Sequence, residues 1–394
     1  MIPVEDAIRR IVAAFAATDA ETVSIAEAAG RVLAEDARAC MTQPPAPVSS
    51  MDGYAVRCAD VPGTLRLIGS SPAGHPFGGK VSAGETVRIF TGGVVPEGAD
   101  GIVIQEDSSA DGESVAMKVA AKPGKHIREA GMDFKTGDVL VRAGRRLSAR
   151  DVSLLAAGDL AQASVRRRPV VAIAATGDEL SPPGAPRGAG GIVASSGYGL
   201  SAMVARWGGA PLDLGIFPDR MDAIGSIAER AKGADVIVTL GGASVGDHDL
   251  IQKALGPKGF ALDFWKIAMR PGKPLIFGRL GDTPLLGLPG NPVSTLVCAL
   301  LFLKPAVAAL LGETQTAPPV TARLAHALPA NDARQDYLRA QLSSRDGERF
   351  VEALPVQDSS HLTALARADA LIVRAPHAPA AAQGERALII PLGD

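Results

Sequence analysis

Two short runs constrain the second half of this chain more than any other feature. Val170–Ala174 and Val236–Leu240 are nearly all apolar, and a segment of helical periodicity follows each of them after a polar loop. A strand that is apolar on both faces has to be covered on both faces, which in globular folds means a parallel sheet wrapped by helices. Further strand candidates follow at Leu212–Ile216, Leu262–Ile267, Leu275–Phe277 and Leu285–Leu288, with helices at about 197–207, 221–232, 249–255 and 292–311. Residues 167–314 therefore read as a doubly wound α/β domain. In such folds ligands sit beyond the carboxyl ends of the strands, near the switch in strand order.

The rest of the chain has another texture. Residues 4–17 and 25–39 carry helical spacing, with Thr22 or Ser24 as caps. From Gln43-Pro44-Pro45 onward come short runs, Thr64–Ile68, Thr86–Phe90, Gly101–Gln105 and Val115–Ala120, separated by Gly, Pro and Asp. That pattern predicts a compact β domain. Helical character returns after Asp138–Arg142, with a helix at Ala149–Ala157. The expected layout is a helical domain of residues 1–43 and 138–166 interrupted by a β domain of residues 44–137. From 315 to 394 short strands return. Asp346-Gly347 reads as the turn of a hairpin between Leu338–Leu342 and Phe350–Leu354, which predicts a second β module.

Several function classes are excluded at this level. Forty Lys and Arg against 42 Asp and Glu give a net charge of −2, so no general nucleic-acid binder is expected. Aromatic residues are only 4%, too few for a base-stacking surface. Cys40, Cys58 and Cys298 are too scattered for a metal quartet or a disulfide framework, so they read as reduced and structural. The amino terminus places Glu5 and Asp6 ahead of its apolar pattern, unlike a signal peptide, and a cytoplasmic location is expected. The longest apolar run, Leu296–Leu303, meets Lys304-Pro305 and reads as a buried helix rather than a membrane span.

Chemistry is sought in the loops after the strands. Gly241-Gly242-Ala243-Ser244 after Val236–Leu240 has the composition of a phosphate cradle, although a tight βα turn looks the same. Pro289-Gly290-Asn291-Pro292 starts an apolar helix whose first amides point to the same end of the sheet. Between them, Lys266, Arg270 and Lys273 place three cations within eight residues, suited to a compact oxyanion or simply a solvated turn. Asp178-Glu179, Asp219 and Asp249 put carboxylates beside these loops. Such a juxtaposition is unfavourable unless a divalent cation bridges carboxylate and anion, which predicts a Mg²⁺-type site. The 44 Gly and 29 Pro exceed the roughly 12% share usual for globular chains. They concentrate here, since ten of the 23 residues from Arg270 to Pro292 are Gly or Pro.

Taken in order, SSMDGYAVR (49–57), IFTGGVVPEGADGIVIQED (89–107), IREAGMDFKTGDVL (127–140), ATGDEL (175–180), TLGGASVGDHD (239–249), WKIAMRPGKP (265–274) and GLPGNPVS (287–294) resemble the molybdopterin molybdenumtransferase family, the MoeA proteins and their relatives in plant and animal fusion proteins. The resemblance covers almost the whole chain and is weakest in the first 40 and last 75 residues. It implies an enzyme that takes adenylylated molybdopterin and molybdate, inserts the metal and releases AMP with Mg²⁺. It also implies a multidomain α/β plus β fold with a barrel-like carboxyl-terminal domain. An elongated homodimer is expected, each site shared between the α/β domain of one subunit and β domains of the other. The adenylyltransferase and the molybdoenzyme apoproteins are the further partners expected.

Residue by residue, Asp52, Thr91 and Asp133 match active-site positions of the inserted β domain, with Glu179 joining them as catalytic. Glu179, Asp219 and Asp249 match acidic positions around the pterin and nucleotide pocket and are the expected metal ligands. Ser244, Lys266, Arg270, Lys273 and Ser294 match the oxyanion-binding surface, and Pro289 and Pro292 its floor. Arg339 and Ser360 match positions that approach molybdate. One departure is chemical: bacterial members often carry Lys where this chain has Arg270, so a planar fork replaces a point charge. Two rival readings are a molybdopterin adenylyltransferase, which carries a GGTG loop and a much shorter chain, and a non-enzymatic scaffold of the same fold.

Overall fold

The computed structural model describes residues 1–242, 248–314 and 318–393, and for His248 and Asp249 the backbone alone. Its centre is a six-stranded sheet made of β1 (Val170–Thr176), β2 (Ala210–Phe217), β3 (Val236–Leu240), β4 (Phe260–Trp265), β5 (Ile276–Leu280) and β6 (Thr283–Leu288), in the spatial order β2-β1-β3-β6-β5-β4. The first four in that order run parallel, and every residue of β3 is buried, as its apolar run predicts. The sheet is not parallel throughout. β5 turns back on β6 through Gly281, at φ 59°, and β4 then pairs antiparallel to β5, so an antiparallel edge completes the sheet.

Apolar residues on the two faces of the sheet feed separate clusters. One gathers Val171, Val236 and Leu286 with Leu200 and Val204 of the helix Ser196–Arg206 and with the long helix Pro292–Leu310. The other packs Ala172, Ile237 and Leu285 against Ile224, Ile227 and Ile251. The long helix runs 19 residues with a mean hydropathy of 2.1, so by length and composition it could cross a membrane. Two thirds of its most apolar stretch is buried inside the protein, which makes it a core helix here. Lys304-Pro305 does not end it. Pro305 has no amide to donate, and a π-helical turn over Ala299–Leu303 absorbs the missing bond, so the helix continues to Leu310.

The carboxyl-terminal strands β7 (Val320–Leu324), β8 (Gln335–Arg345), β9 (Glu348–Ala353), β10 (Ala370–Arg374) and β11 (Arg386–Pro391) close into a barrel, because β8 pairs with both β9 and β10. Asp346 and Gly347 both have positive φ in the two-residue turn between β8 and β9, the hairpin read from the sequence.

In the first half, six strands form the inserted sheet, among them Gly53–Val56, Glu85–Ile89 and Gly101–Ile104. The helix Ala149–Ala157 begins at a capping box of Ser148 and Asp151. The helix expected over 25–39 is absent. A single 3-10 turn at Ile25–Glu27 gives way at Gly30, whose φ is 76°, and Val32 and Leu33 bridge to Arg146 and Val165. Backbone partners from the far side of the insertion outcompeted local helix propensity. The segment Ala20–Ser24 likewise pairs with Gln162–Arg166. The first helix is shorter than its periodicity suggests, Val4–Val12, and its Val4, Ala7 and Ile11 join the same cluster as Val171.

All three cysteines are free. Cys40 is exposed, burial and then Asp100 push the Cys58 thiol up to about 12, and burial raises the fully enclosed Cys298 further. Because the thiolate is the reactive form, Ellman's reagent at pH 8 should count one fast thiol on the folded protein and three after unfolding. Two or more fast thiols would contradict this packing.

Candidate active site

A cleft of about 870 Å³ opens at the carboxyl ends of β1, β3 and β6, where the strand order switches. Its floor is set by backbone that comes unusually close. Gly241 has φ 94°, and a Cβ there would stand 2.6 Å from the carbonyl oxygen of Thr176. The same addition at Gly242 would meet Ile251 at 2.7 Å. Gly241 thus lets β1 and β3 end side by side, and Gly242 lets the helix His248–Leu255 pack close to the loop. Ser244, and the side chain of Asp249, lie outside the described residues.

Most of the sequence candidates from the α/β domain line this cleft. Glu179 and Asp219 come from the ends of β1 and β2, Arg270 and Lys273 from the loop before β5, and Pro289, Pro292 and Ser294 from the turn after β6. The Glu179 carboxylate folds back over Gly177, where a Cβ would meet it at 2.6 Å. Lys273 is exposed and makes no ion pair with a described residue. Ser360 arrives from the barrel, its hydroxyl donating to Asp358 at 2.6 Å. That bond, with a second from the Ser360 amide, holds the Asp358 carboxyl below the usual carboxylate range.

Two oxyanion candidates stand elsewhere. Lys266 is not among the cleft residues and lays its ammonium 3.6 Å from the centre of the Trp265 ring. Arg339 is only 1% exposed inside the barrel, and burial lowers its pKa. Its Nη2 reaches the Asp358 carbonyl at 3.5 Å and its Nε has no hydrogen-bond partner among the described residues. It sits behind the barrel loop 357–360 rather than in the cleft.

Part of the wall comes from residues that carry no sequence expectation. Ser195, Ser196 and Gly197 at the start of a helix line the cleft, and a paired serine ahead of a helical run was the available signal. So do Gln357, Asp358 and Ser359 of the barrel. Asn291 does not cap its helix with its side chain. Its Nδ2 donates to Ser359 Oγ at 2.8 Å, while the Val293 amide donates to the Ser359 carbonyl at 3.1 Å, so the barrel loop seals that helix start.

No described cleft residue comes from the inserted β domain. There, Asp52 and Thr91 form a unit of their own. The pairing of Gly53 with Ile89 brings their loops to one end of the sheet. Asp52 Oδ1 accepts from the Thr91 amide at 2.7 Å and from its hydroxyl at 2.8 Å. These two bonds, with the charge of Arg88 adding to them, hold the Asp52 carboxyl below the usual range. Arg88 is itself stacked between Tyr54 and Phe90, 4.9 and 5.1 Å from the ring centres. Asp133 is exposed near the base of the domain, its amide donating to Gln43.

Known proteins share this architecture along the whole chain. The profile of the MoeA N-terminal region (domain I and II) matches residues 2–158, that of a probable molybdopterin binding domain residues 172–309, and that of the MoeA C-terminal region (domain IV) residues 321–392. A molybdopterin molybdenumtransferase of Nostoc is 35% identical over 90% of this chain and 85% of its own. One from Haemophilus influenzae is 34% identical over 95% and 94%. A crystal structure of a molybdopterin biosynthesis MoeA protein from Pyrococcus horikoshii superposes over the full length of both chains with a TM-score of 0.86 at 29% identity. With these relatives covering nearly all of it, the chain belongs to the molybdopterin molybdenumtransferase family of molybdenum cofactor enzymes.

Proposed function

We propose that this enzyme takes molybdate and adenylylated molybdopterin, inserts the metal into the dithiolene and releases AMP, in the cytoplasm. The observation that carries the reading is one cleft that gathers Lys273, which makes no ion pair with a described residue, with Ser294, Ser360 and carboxylates that include Glu179 and Asp219. The cation and hydroxyls suit an oxyanion, while the carboxylates on their own would repel one. Glu179 and Asp219 supply hard oxygen donors of the kind Mg²⁺ takes alongside a phosphate, and no described cluster of three or more metal-binding side chains competes with them. When bound, Mg²⁺ would offset negative charge on the phosphoanhydride. The direct test is AMP release from adenylylated molybdopterin with molybdate and Mg²⁺ each supplied or withheld. Release that ignores molybdate counts against the reading.

A homodimer with shared sites belongs to the same proposal. What supports it is that Asp52, Thr91 and Asp133 stand away from the cleft of their own chain. In a shared site, a chain carrying Asp52→Ala and one carrying Lys273→Ala complement each other, because one of the two sites in the mixed dimer keeps both residues. Coexpression should recover about one quarter of wild-type turnover under random pairing. No recovery in a verified mixed dimer would place both residues in one chain's site or neither.

Asp52 acts in this reading as an ionised, orienting group. A carboxyl held below its usual pKa is a weak base, so positioning suits it better than proton abstraction. Because the folded pKa is lowered, the ionised form survives as pH falls through the usual carboxylate range. Thr91→Val removes one of the two bonds responsible, so the acidic limb of the pH–rate profile should move to higher pH. A limb that stays in place would detach Asp52 ionisation from turnover.

A further inference from the structure

The loop before β5 carries two cations at the cleft, and the structure uses them differently. Lys273 is exposed and makes no ion pair with a described residue. The Arg270 guanidinium is committed: Nε donates to Asp336 Oδ1 at 2.9 Å, Nη2 donates to Asp336 Oδ2, and Nη1 lies 3.5 Å from Asp332 Oδ2. Asp336 is only 4% exposed, and a carboxylate that buried needs a matched cation. The two-pronged fork of arginine provides the match, whereas a lysine ammonium would offer a single point of contact. Arg334 also borders the cleft and pairs with Asp332 at 3.4 Å. Two arginines and two aspartates thus cancel, which leaves Lys273 as the net positive charge of this wall.

Backbone geometry makes the same connection. The short strand Met269–Arg270 runs parallel to β8, with Arg270 opposite Asp336, and the Gln335 amide donates to the Ala268 carbonyl at 2.9 Å. From the other side Gly272, at φ 110°, is pressed to the long helix so closely that a Cβ would stand 2.3 Å from Cys298 Sγ. The loop is therefore held between barrel and helix, with Lys273 the next residue.

We infer that Arg270 is a positioning residue, tying the lysine-bearing loop to the barrel through Asp336, and that Lys273 is the cation that meets the anion. The second half of this rests on the proposed reading of the cleft as a molybdate site. Asp336→Asn separates the two roles by sign. Were Arg270 an anion ligand, removing its carboxylate partner would free the guanidinium and tighten molybdate binding. As a positioning residue it loses its anchor, and binding weakens.

Two measurements on the full-length protein decide it. In hydrogen exchange of the 266–274 amides, Arg270→Gln and Asp336→Asn should each speed exchange about tenfold, and the double variant no more than either alone. Unchanged exchange in Asp336→Asn overturns the anchoring role, and this readout needs no molybdate. In titration with molybdate, Asp336→Asn should bind about tenfold more weakly while KM for adenylylated molybdopterin stays within about twofold. Tighter molybdate binding overturns the inference and makes Arg270 a ligand. Wild-type protein that shows no saturable molybdate binding overturns the proposed function and the role of Lys273, while the exchange result still decides the anchor. Should Asp336→Asn fail to fold, Asp332→Asn at the more exposed partner carries the same signs with about a threefold effect in each assay.

Discussion

Asp52→Ala should lower molybdate-dependent AMP release by about 10²- to 10³-fold, with little change in the stability of the fold. Asp52 is exposed, and its recorded bonds run to the neighbouring Thr91 loop, so its loss leaves no buried group unsatisfied. The effect should fall on turnover rather than on KM for the pterin, because a group that orients a nucleophile acts at the reacting atoms. Asp52→Asn is the informative companion. It preserves shape and one acceptor oxygen but removes the charge, so activity close to wild type would show that hydrogen bonding alone suffices. Undiminished turnover in Asp52→Ala would remove this residue from the mechanism.

Lys273→Ala should weaken molybdate binding about 10- to 100-fold, the cost of one charge-assisted hydrogen bond. Binding of adenylylated molybdopterin should change far less, since a large substrate spreads its contacts over the whole cleft. The neighbouring Arg270, Arg334, Asp332 and Asp336 leave no net charge to replace the lost ammonium. Equal losses in separate titrations of the two substrates would mean that Lys273 serves the cleft as a whole. Raising salt should mimic the substitution only weakly if the contact is direct, because screening acts mainly on separated, exposed charges.

Much of this organisation is legible in the residues. The fully buried β3 follows from its unbroken apolar run, and the hairpin between β8 and β9 from Asp346-Gly347, since both demand one local conformation. The failures share a cause. Over residues 25–39 the spacing is helical, yet the partners that win are 114 and 132 residues away, Arg146 for Val32 and Val165 for Leu33. Periodicity carries no information about so distant a competitor. The antiparallel edge of the central sheet was hidden for a related reason, because a strand's apolar content does not encode its direction. In the site, residue type foretold charge but not commitment. Arg270 and Lys273 look equivalent as letters, and only the barrel's Asp336 distinguishes them. Gln357–Ser359 escaped notice because nothing within that stretch records which helix start it meets.

The first helix adds a consequence for how the molecule is made. Val4, Ala7 and Ile11 complete a cluster whose other members include Leu310 and Leu311, and the Thr18 amide closes on the Leu310 carbonyl at 2.8 Å. During synthesis, that apolar face emerges from the ribosome about 300 residues before Leu310 and Leu311, against which it seats. That separation raises the contact order of the α/β core at one seam and makes the docking of this helix a late event in folding.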